Sequence, residues 1–264
     1  MRIEGKTVLL TGATGGLGQA IARTLAERGA RLVLSARKPE ALEELARRLP
    51  GDHRVAAADL GEEGAAERLV QDAGEVDVLV ANAALPAGGR LERFSQGDLT
   101  AALRVNLEAP VKMARDLVPA MRERGSGHLV FISSLQGKVA FANSSIYTAT
   151  KFGLRGFSLA LRDELWGSGV GVSVILPGFI REAGMFADSG AKAPPGLGTS
   201  SPREVGEGVV LAIERNSAEV QVAPLLQRLG AAFAHRRPHL ASRITRRNAA
   251  QVADRVSEGQ TGKR

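Results

Sequence analysis

Short apolar runs alternate with helix-period segments along most of the chain, and this alternation constrains the fold more than any other feature. Residues 6–11, Lys-Thr-Val-Leu-Leu-Thr, predict a buried strand. A glycine-rich turn follows, then a helix through Ile21, Leu25 and Ala26 that ends near Gly29. Leu32-Val33-Leu34 is the next strand, and Pro39 suits the first turn of a helix through Leu42, Leu45 and Leu49. Further strands are predicted at 55–58 (closed by Asp59), 76–80, 128–132, 170–176 and 219–222. Helices are predicted at 62–73, 98–123 with a break near Pro110, 147–167 and 202–216. Strands alternating with helices imply βαβ units and a parallel sheet of about seven strands with helices on both faces. The strands are almost continuously apolar, as they must be when both faces are covered. One segment breaks the rhythm: about 20 residues over 181–201, rich in Gly, Ala, Pro and Ser, read as a lid that orders over bound ligand.

Two local features carry chemistry. Thr11-Gly12-Ala13-Thr14-Gly15-Gly16-Leu17-Gly18 joins the first strand to the first helix. Glycines there let the backbone turn sharply and let a pyrophosphate approach a helix N-terminus. The spacing of Gly12, Gly16 and Gly18 is not G-x-G-x-x-G, and a plain turn would also use glycine. The second feature is Tyr147, the only tyrosine, with Lys151 four residues later on the same helix face. A phenol titrates near pH ~10, and a neighbouring ammonium is expected to lower that value. Ser134 lies thirteen residues upstream and can hydrogen-bond a substrate oxygen while the phenol exchanges a proton with it. Together these groups suit interconversion of an alcohol and a carbonyl. Ser133 is the competing serine, and Ser134 could also be an ordinary strand-end hydroxyl.

In these two features, and in the order of its smaller motifs, the chain resembles the short-chain dehydrogenase/reductase family. The resemblance runs from about residue 5 to about 223. Residues 11–18 match the family's glycine loop, and Tyr147 to Lys151 match its Tyr-x-x-x-Lys. Asn82-Ala83-Ala84 matches its Asn-Ala-Gly with alanine for glycine, and Asn106 matches its helix asparagine. Asp59-Leu60 matches the acidic residue beside the adenine, and Pro177-Gly178 the Pro-Gly after the sixth strand. The resemblance implies a single Rossmann-type, doubly wound α/β domain over 1–223 and a nicotinamide cofactor. It also implies the roles. Tyr147 is the general acid/base, Lys151 lowers its pKa and holds the nicotinamide ribose, Ser134 polarises the substrate oxygen, and Asn106 helps position a water in the proton relay. Asn82 and Asn106 also admit a purely structural reading. Cofactor contacts are expected from Gly12, Thr14, Gly15, Gly16, Leu17, Gly18, Asp59, Leu60, Asn82, Ala83, Ala84, Pro177, Gly178 and Ile180. A homodimer or homotetramer is implied, through the helices around 98–123 and 147–167.

The second strand ends Leu34-Ser35-Ala36-Arg37-Lys38. An NAD-preferring site puts an acid there, whereas a guanidinium suits a 2′-phosphate. NADP(H) is therefore expected over NAD(H), with Ser35, Arg37 and Lys38 around the phosphate; a solvated basic pair is the alternative. Glu182 falls near the place of the threonine that often contacts the carboxamide in the family, which puts that contact in doubt. Leu135, Gln136, Phe141, Phe179, Met185 and Phe186, with Ser134, are expected to form a mostly apolar substrate pocket, although Phe141 and Phe179 could equally be core.

Composition removes other classes. Cysteine is absent, so disulfides, thiol catalysis and thiolate metal sites are excluded, and no metal site is expected. No apolar run approaches a membrane span and no secretory signal is read, so a cytoplasmic protein is expected. The net charge is +7; from Arg228 onwards nine Lys/Arg face two Asp/Glu, so the tail carries the whole excess. The balanced body and the scarcity of aromatics in the tail speak against nucleic acid. Residues 224–264 read as a basic, partly helical extension. Its apolar stripe through Leu225, Leu229 and Phe233 is broken at Arg236-Arg237-Pro238 and resumes at Leu240 and Ile244 among Arg243, Arg246 and Arg247. That stripe could pack on the domain or on a partner subunit, or make weak peripheral contact with an anionic membrane. A non-catalytic nicotinamide sensor of the same fold is the rival reading, and the presence of all four of Asn106, Ser134, Tyr147 and Lys151 is what weighs against it.

Overall fold

The computed structural model describes residues 1–190, 193–194 and 196–243. Seven parallel strands form one sheet: β1 (Thr7–Thr11), β2 (Arg31–Ser35), β3 (Arg54–Val55), β4 (Val78–Ala81), β5 (Gly127–Ile132), β6 (Val170–Pro177) and β7 (Glu219–Val222). Their spatial order is β3-β2-β1-β4-β5-β6-β7. The chain therefore winds outwards from β1 in one direction, then crosses back to β4 and winds in the other. The register pairs Val8, Leu9 and Leu10 with Leu32, Val33 and Leu34 on one side, and with Val78, Leu79 and Val80 on the other.

Side chains alternate across a strand, so β1 feeds two cores. Val8 and Leu10 pack among Ile21, Leu25, Leu42, Val205 and Val209, under α1 (Gly16–Glu27), α2 (Pro39–Arg48) and α8 (Pro202–Arg215). Leu9 faces the other way, among Leu69, Leu79, Met113, Leu117, Phe131 and Leu154. That side is covered by α3 (Ala65–Ala73), α5 (Ala109–Glu123) and α6 (Ser145–Glu164). Each fully buried Leu, Ile or Phe contributes about 1.5–3 kcal/mol, so two such layers dominate the stability. Helix ends follow their local chemistry. Ser201 and Glu204 form a reciprocal capping box at the start of α8, Pro202 stands in its first turn, and Asn216 ends it in the left-handed region.

The structure corrects three boundaries. The third strand is two residues, not four, although Ala56 and Ala58 still donate to the carbonyls of Leu34 and Ala36. It lies at the sheet edge, where alanines gain little by pairing. The helix expected over 98–123 is divided into α4 (Gln96–Leu103), a π-turn (Arg104–Glu108) and α5. Pro110 explains the division: its ring crowds the carbonyl of residue 106 and it has no N–H to offer there. The segment 181–201, where the alternation of strands and helices breaks, carries structure of its own. It contains a short helix, α7 (Met185–Asp188), and a parallel bridge joins Ile180 to Ser200 at its base.

Beyond β7, α9 (Leu225–Arg236) lies on the body, and Arg237 leaves helical geometry because Pro238 follows. Residues 238–243 are helical again; Ile244, Arg246 and Arg247 lie outside the described residues.

His128, buried in β5, shares a 2.8 Å hydrogen bond with the Ser173 hydroxyl. Burial pushes its pKa down to about 3, and the N-terminal ammonium and Arg162 add to the shift. The folded chain thus keeps His128 neutral where the unfolded chain would protonate it. Stability from this group is fully present above about pH 6.5 and is lost as pH falls towards 3. The unfolding free energy, measured by urea titration at pH 7, 6 and 5, should fall by up to ~1.4 kcal/mol per unit below pH ~6.5. The His128→Gln chain should lack this part of the slope.

Candidate active site

Parallel strands bring their carboxyl ends to one edge of the sheet, and the reversal of winding between β1 and β4 opens a crevice there. The glycine loop leaves β1 at that crevice. No side chain caps α1 at Gly15 and no acid occupies its first turn, so its first amides and positive dipole end are left for an anion. Gly18 admits no side chain, because a Cβ would stand 2.1 Å from the Gly12 carbonyl. A Cβ on Gly16 would strike Ala183 at 2.6 Å, so the base of the 181–201 loop rests on the helix start. Thr14, Gly16 and Leu17 line this turn, partly exposed, and the Thr14 carbonyl accepts from Gln19 at 2.8 Å. Asn82 stitches β4 to the loop: its side-chain amide donates to the carbonyls of Thr11 and Gly12 at 3.0 and 3.2 Å. The Thr11 hydroxyl accepts from the amides of Asn82 and Ala83, both at 3.1 Å, and Ala84 follows partly buried.

Further along the crevice, Ser35 is buried at the end of β2, and its carbonyl accepts from Ala13. Arg37 and Lys38 are exposed, with no carboxylate partner among the described residues. Asp59 is exposed and caps the Gly61 amide at 2.9 Å, while Leu60 is buried beneath it. This cradle of close-packed glycines and uncapped amides fits a dinucleotide.

The two serines after β5 point to different work. Ser133 is buried and donates to the Lys151 carbonyl at 2.9 Å, pinning α6. Ser134 accepts from the Gln136 amide at 3.1 Å, donates to the Pro177 carbonyl at 3.5 Å, and lies close enough to Tyr147 to act on its phenol. Tyr147 and Lys151 lie on one face of α6, the Lys151 nitrogen 5.6 Å from the centre of the phenol ring. That ammonium is buried and donates to the Ile132 carbonyl at 2.9 Å. Burial pushes Lys151 down to about 8. Burial likewise pushes Tyr147 up to about 12, against the opposing pull of the Ser134 hydrogen bond. The lowered phenol pKa expected from the sequence is thus not produced by the protein's own groups: desolvation outweighs the hydrogen bond. Asn106, buried in the π-turn, has both ends of its amide engaged by the Leu85 backbone, at 2.7 and 2.9 Å. Its side chain therefore has a structural task.

The expected pocket residues divide. Gln136 turns its carbonyl to the hydroxyls of Ser144 and Thr148, at 2.7 and 3.2 Å, and so steadies the start of α6. Leu135 and Phe141 are partly buried near it in sequence. Phe179 pairs with Phe186 of α7, ring centres 4.7 Å apart, and Met185 begins that helix. Ile180 is buried in the core, and Gly178 donates to the Val222 carbonyl. Glu182 adopts a left-handed φ of 71° and pairs with Arg181 at 2.8 Å on the surface. Gln227 of α9 went unnoticed in the sequence. It is buried, accepts from the Phe179 amide at 3.1 Å, and donates to the carbonyls of Leu197 and Gly198 at 3.2 and 2.8 Å. Only the odd placement of a glutamine opposite a leucine stripe hinted at it. An open groove of about 350 Å³ between α8, β7 and Pro224 includes none of the expected site residues.

Residues 6–194 match the family model described as short chain dehydrogenase. The ketoacyl reductase HetN of Nostoc sp. is 39% identical over 227 residues, 83% of this chain and 79% of that protein. Dehydrogenase/reductase SDR family member 7B of Bos taurus is 39% identical over 191 residues, 67% of this chain but only 59% of that protein. Among solved structures, a short-chain dehydrogenase from Sphingobium yanoikuyae in complex with NADPH superposes with a TM-score of 0.76 at 26% identity. That likeness covers 89% of this chain and 95% of the other. The chain belongs to the short-chain dehydrogenase/reductase family of NAD(P)-binding oxidoreductases.

Proposed function

We propose that this protein is an NADPH-preferring oxidoreductase that interconverts a hydrophobic carbonyl compound and its secondary alcohol. The observation that carries the reading is Tyr147 on one face of α6 with the buried Lys151 ammonium, 5.6 Å from its ring centre, and the Ser134 hydroxyl close enough to act on the phenol. The two hydroxyls hold the substrate oxygen. Tyr147 gives that oxygen a proton in reduction and takes it back in oxidation. A phenol that keeps its proton well above neutral pH suits the reductive direction. Lys151 binds the cofactor's ribose and supplies positive charge next to the phenolate once the proton has left. When bound, the nicotinamide supplies or accepts the hydride. In the helical register the Asn106 carbonyl would be paired by the amide of residue 110, which is a proline. We assign that carbonyl, rather than the occupied side chain, to holding a water of the proton relay.

Gly12, Thr14, Gly15, Gly16, Leu17 and Gly18 form the pyrophosphate cradle in this reading. Ser35, Arg37 and Lys38 take the 2′-phosphate, and Asp59, Leu60, Asn82, Ala83 and Ala84 border the adenosine and ribose. Pro177, Gly178 and Ile180 support the nicotinamide through the backbone. The paired rings of Phe179 and Phe186, tilted at 41°, with Met185, favour an apolar substrate. The name of the relative HetN, a ketoacyl reductase, points to the same kind of substrate. Self-association as a homodimer or homotetramer belongs to this reading; Leu103 and Phe152 are exposed at 44% and 37% on the helices concerned.

Fluorescence titration with NADPH and NADH tests the cofactor reading before any substrate is known, and tighter NADPH binding is expected. Arg37→Glu should remove a charge-assisted phosphate contact and weaken NADPH by ~10–100-fold while leaving NADH almost unaffected. An unchanged ratio would take the 2′-phosphate away from Arg37. Tyr147→Phe should lower turnover by ~10²–10⁴-fold or more and leave NADPH affinity intact; a variant that still turns over removes the mechanism. Ser134→Ala should share that loss of turnover, whereas Ser133→Ala should act mainly on stability, by ~1 kcal/mol in denaturant unfolding.

A further inference from the structure

α9 is turned the opposite way from an ordinary surface helix. The residues it presents to the body are Gln227 and Ala231, 7% and 4% exposed. Leu225, Leu226, Leu229 and Phe233 point outwards, 66%, 53%, 57% and 43% exposed. At helical spacing these four fall in one stripe about 100° wide. Leu240, beyond the kink at Arg237, is 49% exposed. The helix cannot roll to bury its leucines without breaking the three hydrogen bonds that Gln227 makes to Phe179, Leu197 and Gly198. The outward apolar face is therefore fixed by the fold.

Charge decides what can cover that face. Arg228, Arg236, Arg237 and Arg243 are all exposed around it. No Asp or Glu occurs anywhere between Val220 and Ala253. A second copy would bring two acid-free basic faces together, which like-charge repulsion opposes. An anionic surface with an apolar interior satisfies both features: leucines and a phenylalanine enter the acyl boundary while arginines pair with headgroup phosphates and carboxylates. Among the described residues no helix is long and apolar enough to cross a membrane, so the contact is peripheral. We propose that the outer face of α9 docks this protein on an anionic lipid membrane. The proposal is independent of the substrate and cofactor readings above.

The test is flotation of the full-length protein with vesicles of phosphatidylcholine alone and of phosphatidylcholine mixed with phosphatidylserine. The expected result is flotation with the anionic vesicles only, weakening as salt is raised. The double variant L229E/F233E, whose side chains touch solvent, should melt at the wild-type temperature and partition at least ~10-fold more weakly. R236Q/R237Q, which leaves the apolar stripe intact, should weaken partition by ~10–30-fold. Wild-type protein that stays with the pellet in anionic vesicles overturns the proposal, as does undiminished flotation of both variants. Self-association seen by light scattering and abolished by L229E/F233E, without flotation, assigns the face to a second copy instead and also overturns it.

Discussion

In a parallel sheet every strand delivers its carboxyl end to the same edge, and in this protein the whole site hangs on how those ends are tied together. The Thr11 hydroxyl, at the end of β1, receives the amides of Asn82 and Ala83, which leave β4. The Asn82 side chain returns the connection to the carbonyls of Thr11 and Gly12. These bonds close the gap where the direction of winding reverses and hold the glycine turn in its compact form. An unmade buried hydrogen bond costs about 1–3 kcal/mol, so this small lattice is a substantial part of what keeps the crevice in shape. One strand further along, Ser133 and the Ile132 carbonyl do the same for α6, gripping Lys151 by its backbone and by its ammonium.

Burial sets the acid–base character of Tyr147 and Lys151. Proximity of an ammonium to a phenol suggests an acidified tyrosine, but desolvation acts on both groups and in opposite senses. It disfavours phenolate and ammonium alike, raising one pKa and lowering the other. The protein alone therefore presents a proton-loaded tyrosine beside a lysine brought closer to neutrality. Such a pair resembles a charged store more than an activated base.

Much of this was legible in the sequence because periodicity survives without knowledge of neighbours. The apolar runs at 6–11, 76–80 and 128–132 read as strands, and the four-residue spacing of Tyr147 and Lys151 put them on one face. What stayed hidden were choices between partners. Ser133 and Ser134 are adjacent and chemically identical; only the approach of α6 makes one a clamp and the other a neighbour of the phenol. Pro110 announced a break, but a π-turn and a kinked helix look alike in a sequence. The stripe of α9 has the spacing of a core-facing helix, and nothing in that spacing says which way it faces. Gln227 settles the direction through contacts with residues about 30 to 48 positions away.

The loop that follows β6 stands on two fixed feet. Ile180 bridges Ser200 at one level, and Gln227 clasps Phe179, Leu197 and Gly198 at the next. The described residues between those feet take no part in the register of the sheet. Apart from Ala183 and Gly184, which pack on Gly16 and Leu17, that segment can change without disturbing the strands or the Tyr147–Lys151 face. The architecture thus separates variation in this loop from the sheet beneath it, and a lineage carrying this scaffold can alter the one without relearning how to fold the other.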